Sequence, residues 1–445
     1  MQHLVSCVGD SCHKGAENRR HTLSEILARC PTSLRFPSRQ APISTLFPRK
    51  LSIVANCTSA TNFRHRTLAR FIRALALIAL VAAAGNAYAA DAPIVRTDEH
   101  SVRVHTLVQG LEHPWGMAFL PDGRILITER EGRLRIVRDG RLDPNPVTGL
   151  PAIAPNGQGG LLDVALHPRF AQNGWIYLSY SARGPEGYGT EVTRARLVQN
   201  RLEDVQTIFR MQPKVGGGRH FGSRLVFDRQ GLLYVTLGDR GDQDRAQRLD
   251  EHLGKIVRIH DDGRVPQDNP FRTQAGARPE IFSLGNRNVQ GAALHPQTGE
   301  LWAHEHGPQG GDELNVIRAG ANYGWPVVTY GRNYGIGTKI GEGTQKSGMT
   351  SPLHHWVPSI APSGMTFYTG DRFPNWRGDI FVGALRDEML VRLRMKGENV
   401  IKEERLLKGV LGRIRAVNQG PDGYLYLLTD ETNGVLARLE PAERP

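Results

Sequence analysis

Cysteine is missing from most of this chain of 445 residues. Its four cysteines, Cys7, Cys12, Cys30 and Cys57, all lie in the first segment. The rest of the chain therefore has no disulfide, no thiol nucleophile and no thiolate metal site. A long apolar run is missing as well. Residues 74–85 form a run of apolar and small residues, but a spanning helix needs about 20 of them, so we expect no membrane span.

Excess positive charge is nearly absent from the body of the chain. The formal net charge is +12, and residues 1–90 hold 12 Lys/Arg and 3 Asp/Glu, a net of +9. Residues 91–445 therefore carry 12 − 9 = +3. A body so close to neutral gives no electrostatic basis for a nucleic-acid partner.

Residues 64–90 have the pattern of an export signal. A basic stretch precedes the apolar run, and Ala87-Tyr88-Ala89 supplies the small-x-small pattern of a cleavage site. We predict that residues 1–63 are a disordered leader or an over-extended start, that 64–90 are a secretory signal peptide, and that 91–445 form the catalytic domain. The mature protein is then periplasmic or secreted, and a body without cysteine is compatible with an oxidising compartment.

The body repeats one theme six times: an apolar run, a tight turn such as Asp122-Gly123, a second β-rich run and, in most copies, a third strand. The first runs begin near Trp115, Leu161, Arg224, Gln290, Gly364 and Arg413. Spacings of roughly 45–75 residues match propeller blades with long loops. Asp-Gly between β-rich runs is a strong hairpin signal. The sequence predicts an all-β fold, a six-bladed β-propeller with four-stranded antiparallel blades, over a pair of β-sandwiches, which would lack the repeat count.

Residues that could carry chemistry stand at comparable places in the copies, close to the first strands. In a propeller such places converge on one mouth of the channel, where ligand sites are favoured. Three arginines without matching carboxylates would imply an anionic ligand, because unpaired buried cations are costly. His220, set among glycines, is a candidate general base whose pKa nearby arginines would keep low. The residues are Gln158, His220, Arg287, Asn288, Gly307, Pro308, Trp356, Arg413 and Arg415.

Residues 284–326 add a second chemical theme. This stretch combines Gly/Pro segments, which expose backbone carbonyls, with the carboxylates of Asp312 and Glu313 and the turn Asn322-Tyr323-Gly324-Trp325-Pro326. Carbonyl and carboxylate oxygens are the ligands that calcium prefers. His304 and His306 alternate along a strand, but no third nitrogen ligand follows, so we assign them structural or supporting roles.

At these residues the chain resembles the soluble aldose sugar dehydrogenases that use pyrroloquinoline quinone (PQQ), the soluble glucose dehydrogenase-like quinoproteins. The likeness extends over the body, from His113-Pro114-Trp115-Gly116 to residues 420–430. It rests on five segments together: residues 159–168, Arg287-Asn288 with Gln290-Gly291, residues 305–315, residues 322–326, and Arg413 with Arg415.

The resemblance implies a quinone held across the channel mouth by calcium, and it assigns roles residue by residue. His220 would be the base that takes the proton of the sugar's anomeric hydroxyl. Carbonyls of Gly307 and Pro308 would hold the calcium at the quinone, and Glu313 and Tyr323 a second, structural calcium. Asp312 would support the substrate site and Trp356 would line the sugar face. The cofactor contacts would be Gln158, Arg287, Asn288, Tyr334, Arg386, Arg413 and Arg415.

Two residues depart from the family pattern. Arg386 stands where the family usually has a lysine that touches the quinone, and the two side chains are not interchangeable. His306 stands where the glucose-specialised members have a glutamine, which could shift substrate choice. The expected reaction is oxidation of an aldose at C1 to the lactone, with electrons passed to an external acceptor, by a monomer or homodimer. Two alternatives stay open: a calcium-dependent propeller hydrolase of the lactonase kind, and a non-catalytic propeller that binds glycans or proteins.

Overall fold

The computed structural model describes residues 92–443, and the predicted leader and signal peptide lie outside that range. Within the described residues, six antiparallel sheets form the blades of a β-propeller, as the repeats predict. No helix of this part of the chain is long and apolar enough to cross a membrane. The strands are β1 (Ile94–Arg96), β2 (Ser101–Leu111), β3 (Pro114–Phe119), β4 (Ile125–Glu129), β5 (Arg133–Arg138), β6 (Arg141–Leu142), β7 (Leu161–Leu166), β8 (Trp175–Gly184), β9 (Gly187–Val198), β10 (Arg201–Arg210), β11 (Leu225–Phe227), β12 (Leu232–Thr236), β13 (Lys255–His260), β14 (Ile281–Leu284), β15 (Val289–Leu294), β16 (Leu301–Glu305), β17 (Asp312–Ile317), β18 (His354–Trp356), β19 (Pro362–Phe367), β20 (Ile380–Ala384), β21 (Met389–Lys396), β22 (Asn399–Leu406), β23 (Ile414–Gln419), β24 (Leu425–Thr429) and β25 (Gly434–Ala442).

Each blade runs outward from one inner strand in sequence order. Five blades have four strands, and their inner strands are β3, β7, β11, β15 and β19. The sixth begins with β23 and has the order β23-β24-β25-β2-β1, so the start of the described chain supplies its outer strands. Pairing of β2 with β25, from Ser101 opposite Ala442 to Leu111 opposite Gly434, closes the ring. The helical elements are short: α1 (Phe170–Asn173) and the 3-10 helices Gln243–Gln247 and Pro374–Trp376.

The hairpins form where the turn residues predict them. Gly123 and Gly423 both have φ near +80 to +90° (87° and 81°), a conformation that glycine adopts without steric cost. Each turn is closed by backbone hydrogen bonds, including Leu120 N–H to the Arg124 carbonyl and Gly420 N–H to the Tyr424 carbonyl, both 2.8 Å. Since β3 and β23 start at one end of the channel, these turns place the start of the next strand at the opposite end.

The apolar core lies between neighbouring blades. One cluster joins Leu126 and Ile136 of the first blade to Leu161 and Tyr180 of the second, and two further clusters likewise bridge neighbouring sheets. The second strand of each blade is buried on both faces, as in β4 and β16. The ring of packed sheets is a rigid frame, and the loops at its two ends are free to carry function.

Candidate active site

A cavity of about 290 Å³ opens at the end of the channel where the inner strands begin. Residues from all six blades line it. Five of the predicted cofactor contacts are among them: Gln158, Asn288, Arg386, Arg413 and Arg415. The wall also contains residues that the sequence analysis did not assign to the site, namely Trp115, Arg130, Leu162, Phe221, Gly222, Gln290, His306, Ala361, Leu385 and Asp430.

The wall of the cavity is strongly positive. Arg130, Arg386, Arg413 and Arg415 face a single carboxylate, Asp430, so the formal balance is 4 − 1 = +3. Arg386 and Arg413 donate to backbone carbonyls, those of Ser359 and Leu385, at 3.0 and 3.2 Å. Apart from a 4.0 Å contact between Arg386 and its neighbour Asp387, neither guanidinium has an acidic partner within the described residues, although the Arg413 backbone N–H donates to Glu431 at 3.3 Å. This excess of cations fits a ligand with several carboxylates.

Arg415 is partly neutralised, which corrects the expectation that the arginines have no matching carboxylate. Its Nη2 lies 2.5 Å from Asp430 Oδ2 and its Nη1 3.1 Å from Gln290 Oε1. Burial opposes ionisation of Asp430, but the charge of Arg415 and the hydrogen bond from it outweigh burial and hold the pKa of that carboxyl far below its usual range. Arg415 Nε is buried and has no partner among the described residues, so the protein does not use all five N–H groups of this guanidinium.

His220 lies at the edge of the cavity, next to the lining residue Phe221. Its backbone N–H donates to Gln158 Oε1 at 2.8 Å, and its Nδ1 lies 2.6 Å from Asp239 Oδ1. Nε2 makes no hydrogen bond to the described residues and is not sealed from solvent. With Nδ1 protonated toward Asp239, Nε2 keeps its lone pair for a substrate proton, which is the arrangement a general base needs.

Asp239, which binds Nδ1 of His220, is a candidate site residue that was not identified from the sequence. It is 1% exposed, and its second oxygen accepts a hydrogen bond of 2.8 Å from Trp325 Nε1. Burial lowers the pKa of His220, the charges of Arg287 and Arg219 lower it further, and the hydrogen bond to Asp239 opposes them. His220 is therefore neutral at physiological pH and able to accept a proton.

The loop that carries His220 is held in an unfavourable backbone conformation. His220 has φ of 56°, a region that side chains other than glycine rarely adopt. A Cβ on Gly238 would lie 2.1 Å from the His220 carbonyl oxygen, so only glycine at 238 allows this approach. Arg240 donates to the carbonyls of Gly217 and Arg219 and lies 3.4 Å above the Phe221 ring. These contacts fix the loop, and strain of this kind is common at functional sites.

Arg287 lies beside the base rather than in the main cavity. Its Nη1 donates to the His306 carbonyl at 3.1 Å, and its guanidinium lies 5.5 Å from the Trp325 ring. Asn288 lies in the main cavity, where its Oδ1 accepts hydrogen bonds from Gly222 N–H and Gln290 Nε2 at 3.1 and 3.2 Å. Asn288 Nδ2 is thus the group left to donate to a ligand.

A small pocket of about 10 Å³ lies next to Arg287, and its walls offer oxygen atoms. Glu305, Gly307, Glu313, Tyr323 and Thr329 line it, and Glu305 pairs with Glu313 across β16 and β17. Burial raises the pKa of both glutamates, and for Glu313 the charge of Glu305 raises it further. Two buried carboxylates at paired positions of neighbouring strands favour a cation between them.

Nearby amide oxygens complete the donor set. Asn286 Oδ1 and Asn315 Oδ1 are buried without a partner among the described residues, and hard oxygen donors of this kind suit calcium. Tyr323 can contribute only its backbone oxygen, because its hydroxyl donates to the Val316 carbonyl and accepts from Arg318 N–H. Within residues 92–443 no group of three or more His, Cys, Asp or Glu side chains could hold a metal ion.

The structure does not bring every predicted site residue to the cavity. Trp356 is 3% exposed, packs in the apolar cluster between the fourth and fifth blades and donates to Glu403, and it is not among the residues that line the cavity. Tyr334 is 68% exposed and is absent from the cavity wall. Pro308 follows Gly307 but does not line the small pocket.

Asp312 acts through the backbone, not on a substrate. It is 0% exposed, and its carboxylate accepts hydrogen bonds from the N–H groups of Gly307, Ile360 and Ala361 and from the Ser359 hydroxyl. It therefore joins the Gly307-Pro308 loop to the loop before β19. The predicted supporting role fits this position, whereas direct contact with substrate does not.

Comparison with known proteins gives a consistent result. The family model for Glucose / Sorbosone dehydrogenase matches residues 111–438. The aldose sugar dehydrogenase YliI of Escherichia coli (strain K12) is 47% identical over 347 residues, which are 77% of this chain and 93% of that protein. Quinoprotein glucose dehydrogenase B of Acinetobacter calcoaceticus is 28% identical over 63% of each chain. The PQQ-bound aldose sugar dehydrogenase of Streptomyces coelicolor has a TM-score of 0.64 and 31% identity, over 78% of this chain and all of that one.

Proposed function

Because the chain belongs to the glucose/sorbosone dehydrogenase family, we propose that it is a PQQ- and calcium-dependent dehydrogenase that oxidises aldose sugars at C1 to lactones. One observation carries the proposal beyond family membership. A cavity with a net formal charge of +3 adjoins a buried His–Asp pair whose free nitrogen can accept a proton. A multiply negative cofactor would match the positive cavity, and a substrate that gives up a proton would match the free nitrogen of the pair.

The residues of the cavity fit the quinone. Gln158, Asn288, Arg386, Arg413 and Arg415 would hold it, with the arginines paired to its carboxylates and the amide of Asn288 donating a hydrogen bond. When bound, the quinone supplies the hydride acceptor. Arg415 binds with little adjustment, because Asp430 and Gln290 already fix its guanidinium.

His220 would take the proton of the C1 hydroxyl on Nε2. Its pKa is lowered mainly by burial, so the neutral imidazole is the form present near pH 7. Asp239 holds the Nδ1 proton, which fixes the tautomer and stabilises the imidazolium after proton transfer. A positioned base of this kind contributes about 10²–10⁴-fold to the rate.

Calcium would have two sites. Glu313 and the Tyr323 carbonyl would bind a structural ion, and the small pocket adds Glu305 to that set. Carbonyls of Gly307 and Pro308 would bind the ion at the quinone, and Asp312 holds Gly307 in place through its N–H. We further propose that the protein is exported to the periplasm or medium after cleavage of residues 64–90, and that an external acceptor takes the electrons.

Reconstitution tests the proposal. Apoprotein given calcium and PQQ should gain the visible absorption of the bound quinone and should reduce an artificial acceptor only when an aldose is present. His220→Ala should bind PQQ but lose activity by about 10²-fold or more. His105→Ala is a matched control, because His105 lies on an outer strand with half of its side chain exposed, and it should behave as wild type.

Three outcomes would contradict the proposal in different ways. Absence of quinone binding would favour the non-catalytic propeller. Calcium-dependent lactone hydrolysis without quinone would favour the hydrolase. Full activity of His220→Ala would remove the base from the mechanism but leave the cofactor assignment intact.

A further inference from the structure

Trp325 is not among the residues of the cavity wall and lines the small pocket beside Arg287, yet it is bound to the group that orients His220. The indole is 6% exposed, and its Nε1 donates to Asp239 Oδ2 at 2.8 Å. The other oxygen of the same carboxylate receives both His220 Nδ1 at 2.6 Å and Gly241 N–H at 2.7 Å. Nε1, Asp239 and His220 therefore form one continuous line of hydrogen bonds that ends at the free Nε2.

We propose that Trp325 is a positioning residue that sets the basicity of His220 through Asp239. The inference rests on the proposed role of His220 as the base. A donor on Oδ2 draws negative charge away from the oxygen that binds His220, and it prevents rotation of the carboxylate about its Cβ–Cγ bond. Without this donor the carboxylate would hold the imidazole proton more strongly and in less defined geometry.

The position of the indole is itself determined by contacts of the Trp325 backbone and ring. Gln247 Nε2 donates to the Trp325 carbonyl at 2.8 Å and to Asn322 Oδ1 at 3.0 Å, and Trp325 N–H donates to the Gly285 carbonyl at 2.9 Å. The ring packs against Ala246 and Ile340. An indole held this firmly can impose a direction on the carboxylate, because an adjustment on its side would break several contacts at once.

Three arginines act on His220 and Asp239. Arg219 and Arg287 face His220 and lower its pKa, Arg287 also acts on Asp239, and Arg240 lies close enough to interact with Asp239. None of them is removed by a change at Trp325 to phenylalanine, which keeps an aromatic ring beneath Arg287. Trp325→Phe therefore removes one N–H donor and leaves the surrounding charges in place.

The test is the pKa of His220 in apoprotein, measured by NMR titration of its Cε1–H signal. We expect Trp325→Phe to raise this pKa by about half a unit and to lower kcat of the reconstituted enzyme by about tenfold with KM little changed. Trp302→Phe is the matched control, because the Trp302 indole is fully buried and its Nε1 has no partner within the described residues. It should leave the pKa of His220 unchanged.

A double-mutant cycle separates the path through Asp239 from a general effect of packing. In an Asp239→Asn background, Trp325→Phe should no longer shift the pKa of His220. An unchanged pKa in the single variant, or an equal shift in both backgrounds, would overturn the proposal. If wild type fails to oxidise aldoses, the proposed function is wrong, but the titration still reports whether Trp325 and His220 are coupled.

A measurement on wild type covers the case in which Trp325→Phe does not fold. The Trp325 indole N–H resonance should lie downfield, as expected for a donor to a carboxylate, and should shift with pH along the same curve as His220 Cε1–H. An indole signal that does not follow His220 would overturn the proposal without any substitution.

Discussion

The guanidinium of Arg415, on β23, and the carboxylate of Asp430, just after β24, lie 2.5 Å apart on the wall of the cavity. Both are nearly inaccessible to solvent, with side chains 8% and 6% exposed. Asp430 also accepts from His113 at 2.9 Å and lies 3.7 Å from Arg130. One buried carboxylate thus holds three basic side chains in position before any ligand binds.

Removal of this carboxylate should make the apoprotein depend on its cofactor for stability. Asp430→Asn leaves Arg415 buried without a counter-ion, which costs about 3 kcal/mol of the free energy of unfolding. A multiply negative quinone would supply the missing charge, so PQQ should raise the melting temperature of the variant more than that of wild type. Calorimetry with and without PQQ measures both effects.

The control is Glu440→Gln, which breaks an equally short pair with Arg438 on partly exposed side chains. Screening by solvent makes such a pair worth about 1 kcal/mol or less, and PQQ should not compensate for its loss. Equal compensation by PQQ in the two variants would mean that the quinone does not bind beside Arg415.

The activity should fall on the acidic side of the pH profile, at a pH below the usual pKa of histidine. The base works only when neutral, and burial lowers the pKa of His220 from 6.5, so kcat/KM should stay high down to pH values below 6.5 and decline beneath that point. Asp239 raises the pKa of His220, so Asp239→Asn should move this decline to still lower pH. It should also reduce the plateau by about 10²–10⁴-fold, because the tautomer is no longer fixed.

Steady-state kinetics from pH 4 to 9 with PQQ and calcium in excess give both the pH at which kcat/KM declines and its plateau value. Asp122→Asn, in an exposed turn at the far end of the channel, should match wild type. A decline that moves to higher pH in Asp239→Asn would contradict the assigned direction of the hydrogen bond.

The fold could be predicted from the sequence because each of the six repeats corresponds to one blade. The six predicted first runs correspond to β3, β7, β11, β15, β19 and β23, and the Asp-Gly turns fall where they were expected. The closure of the ring was not predicted. It depends on pairing of β2 with β25, more than 300 residues away along the chain, and nothing in the local pattern of Ser101–Leu111 specifies so distant a partner.

Only part of the candidate site could be predicted from the sequence, and the reason is geometric. Most of the residues predicted for the site lie near the starts of first strands, but antiparallel pairing brings the ends of second strands to the same mouth of the channel. Arg130 follows β4, Asp239 follows β12, Glu305 ends β16 and Asp430 follows β24. The signal was present, since each of these charged residues closes an apolar run. Trp356 could not be separated from the cavity residues, because an aromatic residue on an outer strand gives the same local pattern as one at a site.

Arg386 should contribute to quinone binding, and less than a buried arginine would. Its side chain is 54% exposed, so solvent weakens its attraction for a carboxylate. Arg386→Gln should weaken PQQ binding by roughly tenfold or less, which corresponds to at most about 1.4 kcal/mol. Arg386→Lys keeps the charge and should bind PQQ within about threefold of wild type, although it loses the fork geometry and the hydrogen bond to Ser359.

Fluorescence titration of the apoproteins with PQQ at two salt concentrations gives these affinities. Arg377→Gln removes an exposed arginine that donates to the Gly370 carbonyl, away from the cavity, and should have no effect. If Arg386→Gln binds PQQ like wild type at low salt, Arg386 is not a contact of the cofactor.

Calcium should stabilise the protein through Glu313, independently of the quinone. The carboxylates of Glu305 and Glu313 are buried opposite one another, with unpartnered amide oxygens nearby. A divalent cation at this point neutralises their repulsion, and at 100 times its dissociation constant it adds about 2.7 kcal/mol to the free energy of unfolding. Removal of calcium with a chelator should lower the melting temperature of wild-type apoprotein by several degrees.

In Glu313→Gln the repulsion between the two glutamates is already relieved and the ion has lost a ligand, so the chelator should have little effect on the melting temperature. Glu342→Gln removes an exposed carboxylate that is paired with Lys346, and it should keep the full response to calcium. A response to the chelator that is equal in Glu313→Gln and wild type would place the stabilising ion elsewhere, because no ion bound by this carboxylate could survive its loss unchanged.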